Sequence, residues 1–183
     1  MGKNIYIVGF MGTGKSTIGK ELARATGRRF LDMDRAIEQK FSMSINAIFD
    51  NYGEDFFRNE ERELAFELVK KNNFVVSTGC GTIMDKDIYR AFRDSGIMVC
   101  LVTKKQELVE RLVRTHKRPV LRVDAVEDKI DELLKERSLV FNSIPIKVDT
   151  TDIAPMEIVR KLVKLFKIRD NLLFKLENRN IEI

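Results

Sequence analysis

Histidine occurs once in this chain, at His116, and cysteine twice, at Cys80 and Cys100. A single imidazole with no partner of its kind excludes a histidine-built metal centre. Two cysteines outside any metal-type spacing exclude a zinc ribbon or a disulfide framework and suit a reducing compartment. No apolar run approaches bilayer-spanning length, so no membrane partner is expected. The first apolar stretch starts at Asn4 and leaves no room for a secretion signal, which makes the cytoplasm the expected location. No internal repeat, linker or second domain interrupts the chain.

What remains is an ordinary globular composition, 44% hydrophobic and 33% charged over 183 residues, enough for one domain with a proper core. The formal net charge is +5, but residues 160–183 hold seven Lys or Arg against three Asp or Glu. The rest of the chain is close to neutral, and no nucleic-acid partner is required.

The most informative stretch is Gly9-Phe10-Met11-Gly12-Thr13-Gly14-Lys15-Ser16, which fills the phosphate-loop pattern G-x-x-x-x-G-K-[ST]. Residues 4–8 before it read as a short buried strand, and residues 17–25 after it as a helix with Ile18 and Leu22 on one face. Glycines let consecutive backbone N–H groups turn toward phosphate oxygens, and the helix adds its positive end. Lys15 is suited to bridge the outer phosphates, and the Ser16 hydroxyl to ligate magnesium.

Residues 29–34 read as a second strand whose alternation puts Asp32 and Asp34 on one face. Helices are expected at 35–41, 45–51 behind a Ser44 cap, and 54–71, with Gly53 as the break. Residues 74–77 give a third strand, followed by the glycine-bearing loop Thr78-Gly79-Cys80-Gly81-Thr82. A helix at 85–94, a fully apolar strand at 97–102 and a helix at 105–115 continue the alternation. Periodicity fails over 116–126, where Pro119 stands among Lys117, Arg118 and Arg122, and this reads as a mobile basic loop. A helix at 127–140, a strand at 144–148 whose Pro145 suits a sheet edge, and a helix from Pro155 to about 168 complete the pattern. Five strands alternating with helices imply a three-layer α/β/α fold around a mostly parallel sheet, with the strand order left open.

Taken together, these motifs resemble the shikimate kinase family across roughly residues 4–166. The likeness rests on the phosphate loop with Thr17, Asp32-Met33-Asp34, Phe57-Arg58-x-x-Glu61 and Ser77-Thr78-Gly79-x-Gly81. It continues through Arg118-Pro119-Val120-Leu121, Glu136-Arg137 and Val148-Asp149-Thr150. The resemblance implies ATP-dependent phosphorylation of the 3-hydroxyl of shikimate. It also implies a nucleoside-monophosphate-kinase-like P-loop NTPase fold with five parallel strands in the order 2-3-1-4-5. Residues 1–168 would form a single kinase domain, with substrate-binding helices at about 35–71 and a lid at about 116–126. Residues 169–183 would be an extension of unassigned role, and the protein a monomer.

The same resemblance implies roles for single residues. Gly12, Thr13, Gly14, Lys15, Ser16 and Thr17 would hold the nucleotide phosphates, and Arg111 and Pro155 would flank the adenine. Asp34 would hold the acceptor hydroxyl and take its proton, while Ser16 and Asp32 would organise magnesium. Arg58 and Arg137 would bind the acceptor carboxylate, with Gly79, Cys80 and Gly81 beside it. Arg118 would neutralise the migrating phosphoryl group. The family commonly has three glycines where this chain has Gly79-Cys80-Gly81, and a proline and a tyrosine where it has Leu139 and Phe141. Two alternatives stay open at this point: a kinase for another hydroxy acid such as gluconate, and a nucleotide-binding regulatory protein without catalysis.

Overall fold

The structure is a computed structural model that describes the backbone of residues 2–114 and 123–179 and the side chains of 2–112 and 127–167. Five parallel strands form one sheet: β1 (Asn4–Gly9), β2 (Arg29–Asp32), β3 (Phe74–Ser77), β4 (Gly96–Val102) and β5 (Ile146–Asp149). Their spatial order is β2-β3-β1-β4-β5, as the family resemblance implied. The helices are α1 (Lys15–Thr26), α2 (Met33–Phe41), α3 (Ile45–Val69), α4 (Lys86–Ser95), α5 (Lys105–Arg114), α6 (Val123–Asn142) and α7 (Pro155–Arg179).

Alternation within β1 sends its side chains into two separate cores. Ile5 and Ile7 pack with Ile18 and Leu22 of α1 and Leu162 and Phe166 of α7. Tyr6 and Val8 face the other way, toward Leu68 of α3, Phe92 of α4, Leu108 of α5 and Phe141 of α6. Both faces of the sheet are covered at its middle, which is why β1, β3 and β4 are buried along nearly their whole length while the edge strands β2 and β5 are not. A third, smaller cluster of Ile37, Ile48 and Phe57 ties α2 to α3 beside the sheet.

Several element boundaries differ from the sequence expectation. Strand pairing ends at Asp32, opposite Ser77, and the Asp32 carboxylate accepts a hydrogen bond from the Arg35 N–H at 3.2 Å as the N-cap of α2. Asp34 therefore lies in the first turn of a helix, and the two acids do not share one face of a strand. Gly53 breaks the helical geometry of α3 as expected, at φ 83° and ψ 171°, so α3 is two helical segments that meet at a kink. The fifth strand starts at Ile146, just after Pro145, and lies on the sheet edge. Helix α6 begins at Val123, earlier than 127, because nothing after Arg122 breaks a helix. Helix α7 continues to Arg179, past 168, through a stretch with neither glycine nor proline.

Candidate active site

Strand β1 delivers the chain into the phosphate loop at the carboxyl edge of the sheet, beside its central position. Gly14 caps α1 in the left-handed conformation, φ 90°, and no side chain caps this helix end. A glycine at the N-cap offers no side-chain oxygen of its own to the first N–H groups of α1, a helix start that suits an anion. Thr13, only 1% exposed, pins the loop by donating from Oγ1 to the Phe10 carbonyl at 2.8 Å. Lys15 Nζ reaches back over the loop to the carbonyls of Gly9 (3.0 Å) and Phe10 (2.9 Å). A cavity of about 770 Å³ opens above, lined by residues from Gly12 to Thr17 together with Asp34, Arg111 and Pro155.

Arg111 joins the two sides of this cavity. Its guanidinium donates to the Gly12 carbonyl at 3.1 Å and the Thr150 carbonyl at 3.0 Å, and it pairs with Glu107. Glu107 in turn accepts from the Asp152 N–H at 3.0 Å. Thr150, buried at 1%, donates to the Thr13 carbonyl at 3.2 Å, so the loop before α7 is tied to the phosphate loop.

A second cavity of about 190 Å³ lies between α2, α3 and the loop after β3. Its walls include Asp34, Arg58, Glu61, Gly79, Cys80, Gly81 and Arg137, which brings six of the expected substrate residues together. The two cavities share Met11, Asp34 and Cys80 and therefore meet at the Asp34 carboxylate.

Arg58 is clamped from two sides. Nε and Nη2 donate to Glu54 at 3.2 and 3.0 Å, and Nη1 pairs with Glu61. Burial alone lowers the Arg58 guanidinium, but Glu61 and Glu54 outweigh it and hold the group above its ordinary value. Glu61 is 1% exposed and also accepts from Thr82 Oγ1 at 2.6 Å. Glycine at 79 follows from this crowding: a Cβ there would overlap Glu61 Oε1 and stand 2.9 Å from Asp34 Oδ1. Cys80 has no positive φ, so its side chain is accommodated without backbone strain. Its Sγ accepts from Arg137 Nη1 at 2.8 Å. Cys100 sits in the core, and burial pushes its thiol up to about 11, so it takes no part in the site.

Ser16 Oγ lies 3.5 Å from Ser77 Oγ at the end of β3. Asp32 lines neither cavity. Among the described residues no group of three His, Cys, Asp or Glu forms a ready metal cage. Hydroxyl and carboxylate oxygens are nevertheless the donors that magnesium takes, with water completing its shell. Arg118 and most of the expected lid, including Lys117 and Arg122, lie outside the described residues. Sequence reasoning passed over Glu61, Thr82, Ser77 and Thr150 as site residues. Glu61 stands three residues after Arg58, the spacing of a helical ion pair, and that was the signal available for it.

An all-parallel sheet in this order, with the glycine loop leaving its central strand, is the architecture of a phosphate-loop kinase. The family model described as shikimate kinase matches residues 11–167. A shikimate kinase of Thermoanaerobacter pseudethanolicus is 34% identical over 164 residues, 90% of this chain and 96% of the relative. Among solved structures, shikimate kinase from Acinetobacter baumannii in complex with shikimate matches with a TM-score of 0.86 at 34% identity, covering 92% of this chain and 95% of that one. A gluconokinase from Sinorhizobium meliloti matches with a TM-score of 0.60 at 19% identity, over 94% of this chain and 97% of that one, a likeness of fold alone. The chain belongs to the shikimate kinase family, and it is a phosphotransferase.

Proposed function

We propose that this chain transfers the γ-phosphoryl group of ATP to the 3-hydroxyl of shikimate, the acid bound in the Acinetobacter baumannii relative. The observation that carries the reading is the meeting of a phosphate-loop cavity with an arginine-lined cavity at Asp34. The N–H groups from Gly12 to Thr17 and Lys15 hold the nucleotide phosphates, with Arg111 and Pro155 flanking the adenine. Arg58 and Arg137 take the acceptor carboxylate, a planar anion that suits guanidinium geometry. Asp34 holds the hydroxyl and accepts its proton as the oxygen attacks the γ-phosphorus. The bond to the bridging oxygen breaks and ADP leaves, with Lys15 and Arg118 offsetting the charge that develops. Magnesium, bound through Ser16 and, across water, Asp32, would neutralise the phosphates when present. Residues 1–168 act as one kinase domain with a lid at about 116–126. The working form is a cytoplasmic monomer.

A coupled assay for ADP tests this directly: turnover is expected with shikimate and not with gluconate. Gluconate turnover, or ATP binding without turnover on either acid, would overturn the reading. Asp34→Asn is expected to lower kcat at least a hundredfold while ADP affinity stays within about twofold. Full activity in that variant would remove Asp34 from its role.

A further inference from the structure

The two arginines of the acceptor cavity are held by unlike partners. Arg58 is gripped by two carboxylates. Arg137 has one hydrogen-bond partner among the described residues, the Cys80 sulfur at 2.8 Å from Nη1. Its Nε is buried and meets no acceptor. Among the described residues no acid pairs with Arg137, and the Cys80 sulfur is the acceptor its guanidinium meets.

Position 80 is suited to that task in a way its neighbours are not. A Cβ at Gly79 would overlap Glu61, and one at Gly81 would stand 2.9 Å from Arg58 Nη1. A side chain at 80 meets neither obstacle and leans toward α6, where Arg137 stands. We propose that Cys80 is the positioning residue for Arg137, its sulfur turning the guanidinium so that the Nη1–Nη2 end meets the acceptor carboxylate. One Nη1 hydrogen goes to the sulfur, and the other remains beside those of Nη2 as a parallel pair of donors. The buried Nε edge is unavailable to the ligand. The inference rests on the reading of Arg137 as a carboxylate ligand given above.

The test is calorimetric titration of shikimate into the ADP-bound protein, with steady-state kinetics alongside. Cys80→Ala is expected to weaken shikimate binding roughly five- to tenfold, raising its KM with kcat and ADP affinity nearly unchanged. Cys80→Ser, whose hydroxyl also accepts from Nη1, is expected to restore affinity to within about twofold of the parent. In an Arg137→Ala background the Cys80→Ala change is expected to cost nothing further, because its effect passes through the guanidinium. Parental affinity in Cys80→Ala, a serine variant as weak as alanine, or equal losses in both backgrounds would each overturn the positioning role while leaving the carboxylate reading intact. Parental affinity in Arg137→Ala would overturn the carboxylate reading, and the inference with it.

Discussion

Glu61 is 1% exposed, yet it forms part of the wall of the arginine-lined cavity. It is held there because it serves two partners, Arg58 and Thr82. Neutralising it leaves Arg58 with Glu54 alone, on the exposed side of the helix. Glu61→Gln is therefore expected to raise the KM for shikimate about tenfold and to lower stability by about 1–3 kcal/mol, with the KM for ATP unchanged. Acceptor titration and urea unfolding read the two effects, and parental values in both would contradict the assignment. At this scale the sequence was informative wherever a fixed pattern demanded a residue type. Lys15 and Ser16 were legible from spacing alone. Glu61 was not, because an acid three residues after an arginine on a helix is usually a solvated pair, and only burial distinguishes the two cases.

Asp85 caps α4 by accepting from the N–H groups of Asp87 at 2.8 Å and Ile88 at 3.1 Å, and it pairs with Arg62 of α3. Burial by itself raises its carboxyl, but the Arg62 hydrogen bond and the two N–H groups outweigh burial and hold it below the ordinary value of 3.8. A carboxyl lowered in the folded state contributes stability that is fully present above the unfolded value. That contribution is lost as pH falls through the folded value. Asp85→Ala is expected to cost about 1 kcal/mol at pH 7, with the difference from the parent shrinking below about pH 4. Urea unfolding at several pH values checks this, and a gap independent of pH would contradict it. The same capping chemistry explains the clearest misreading of an element. Asp32 and Asp34 looked like alternate residues of a strand, but Asp32 closes the strand by capping α2, and Asp34 reaches the cavities from a helix. Alternation over six residues does not distinguish a strand end from a helix start when an N-cap stands between them.

The order of the strands came from family resemblance, since hydrophobic runs mark strands without saying which of them pair. The alternation of elements and the two-sided core were legible, because a strand covered on both faces shows as unbroken apolar sequence such as Ile97 to Val102. At the far end, Phe166 is 7% exposed and closes the core between α1, α7 and the sheet. A chain ending at Ile168 keeps that contact, so it is expected to retain kcat and both KM values within about twofold. An assay of the truncated protein decides this, and loss of activity would make the extension part of the kinase domain. The central place of β1 has a consequence for how the protein is made. Ile5 pairs with Val75 on one side and Ile97 on the other, so β1, which precedes both partners in the chain, waits for each of them to be made. Until β4 emerges, β1 is an apolar strand with an open edge, and that edge is open to wrong pairing while the chain is being made.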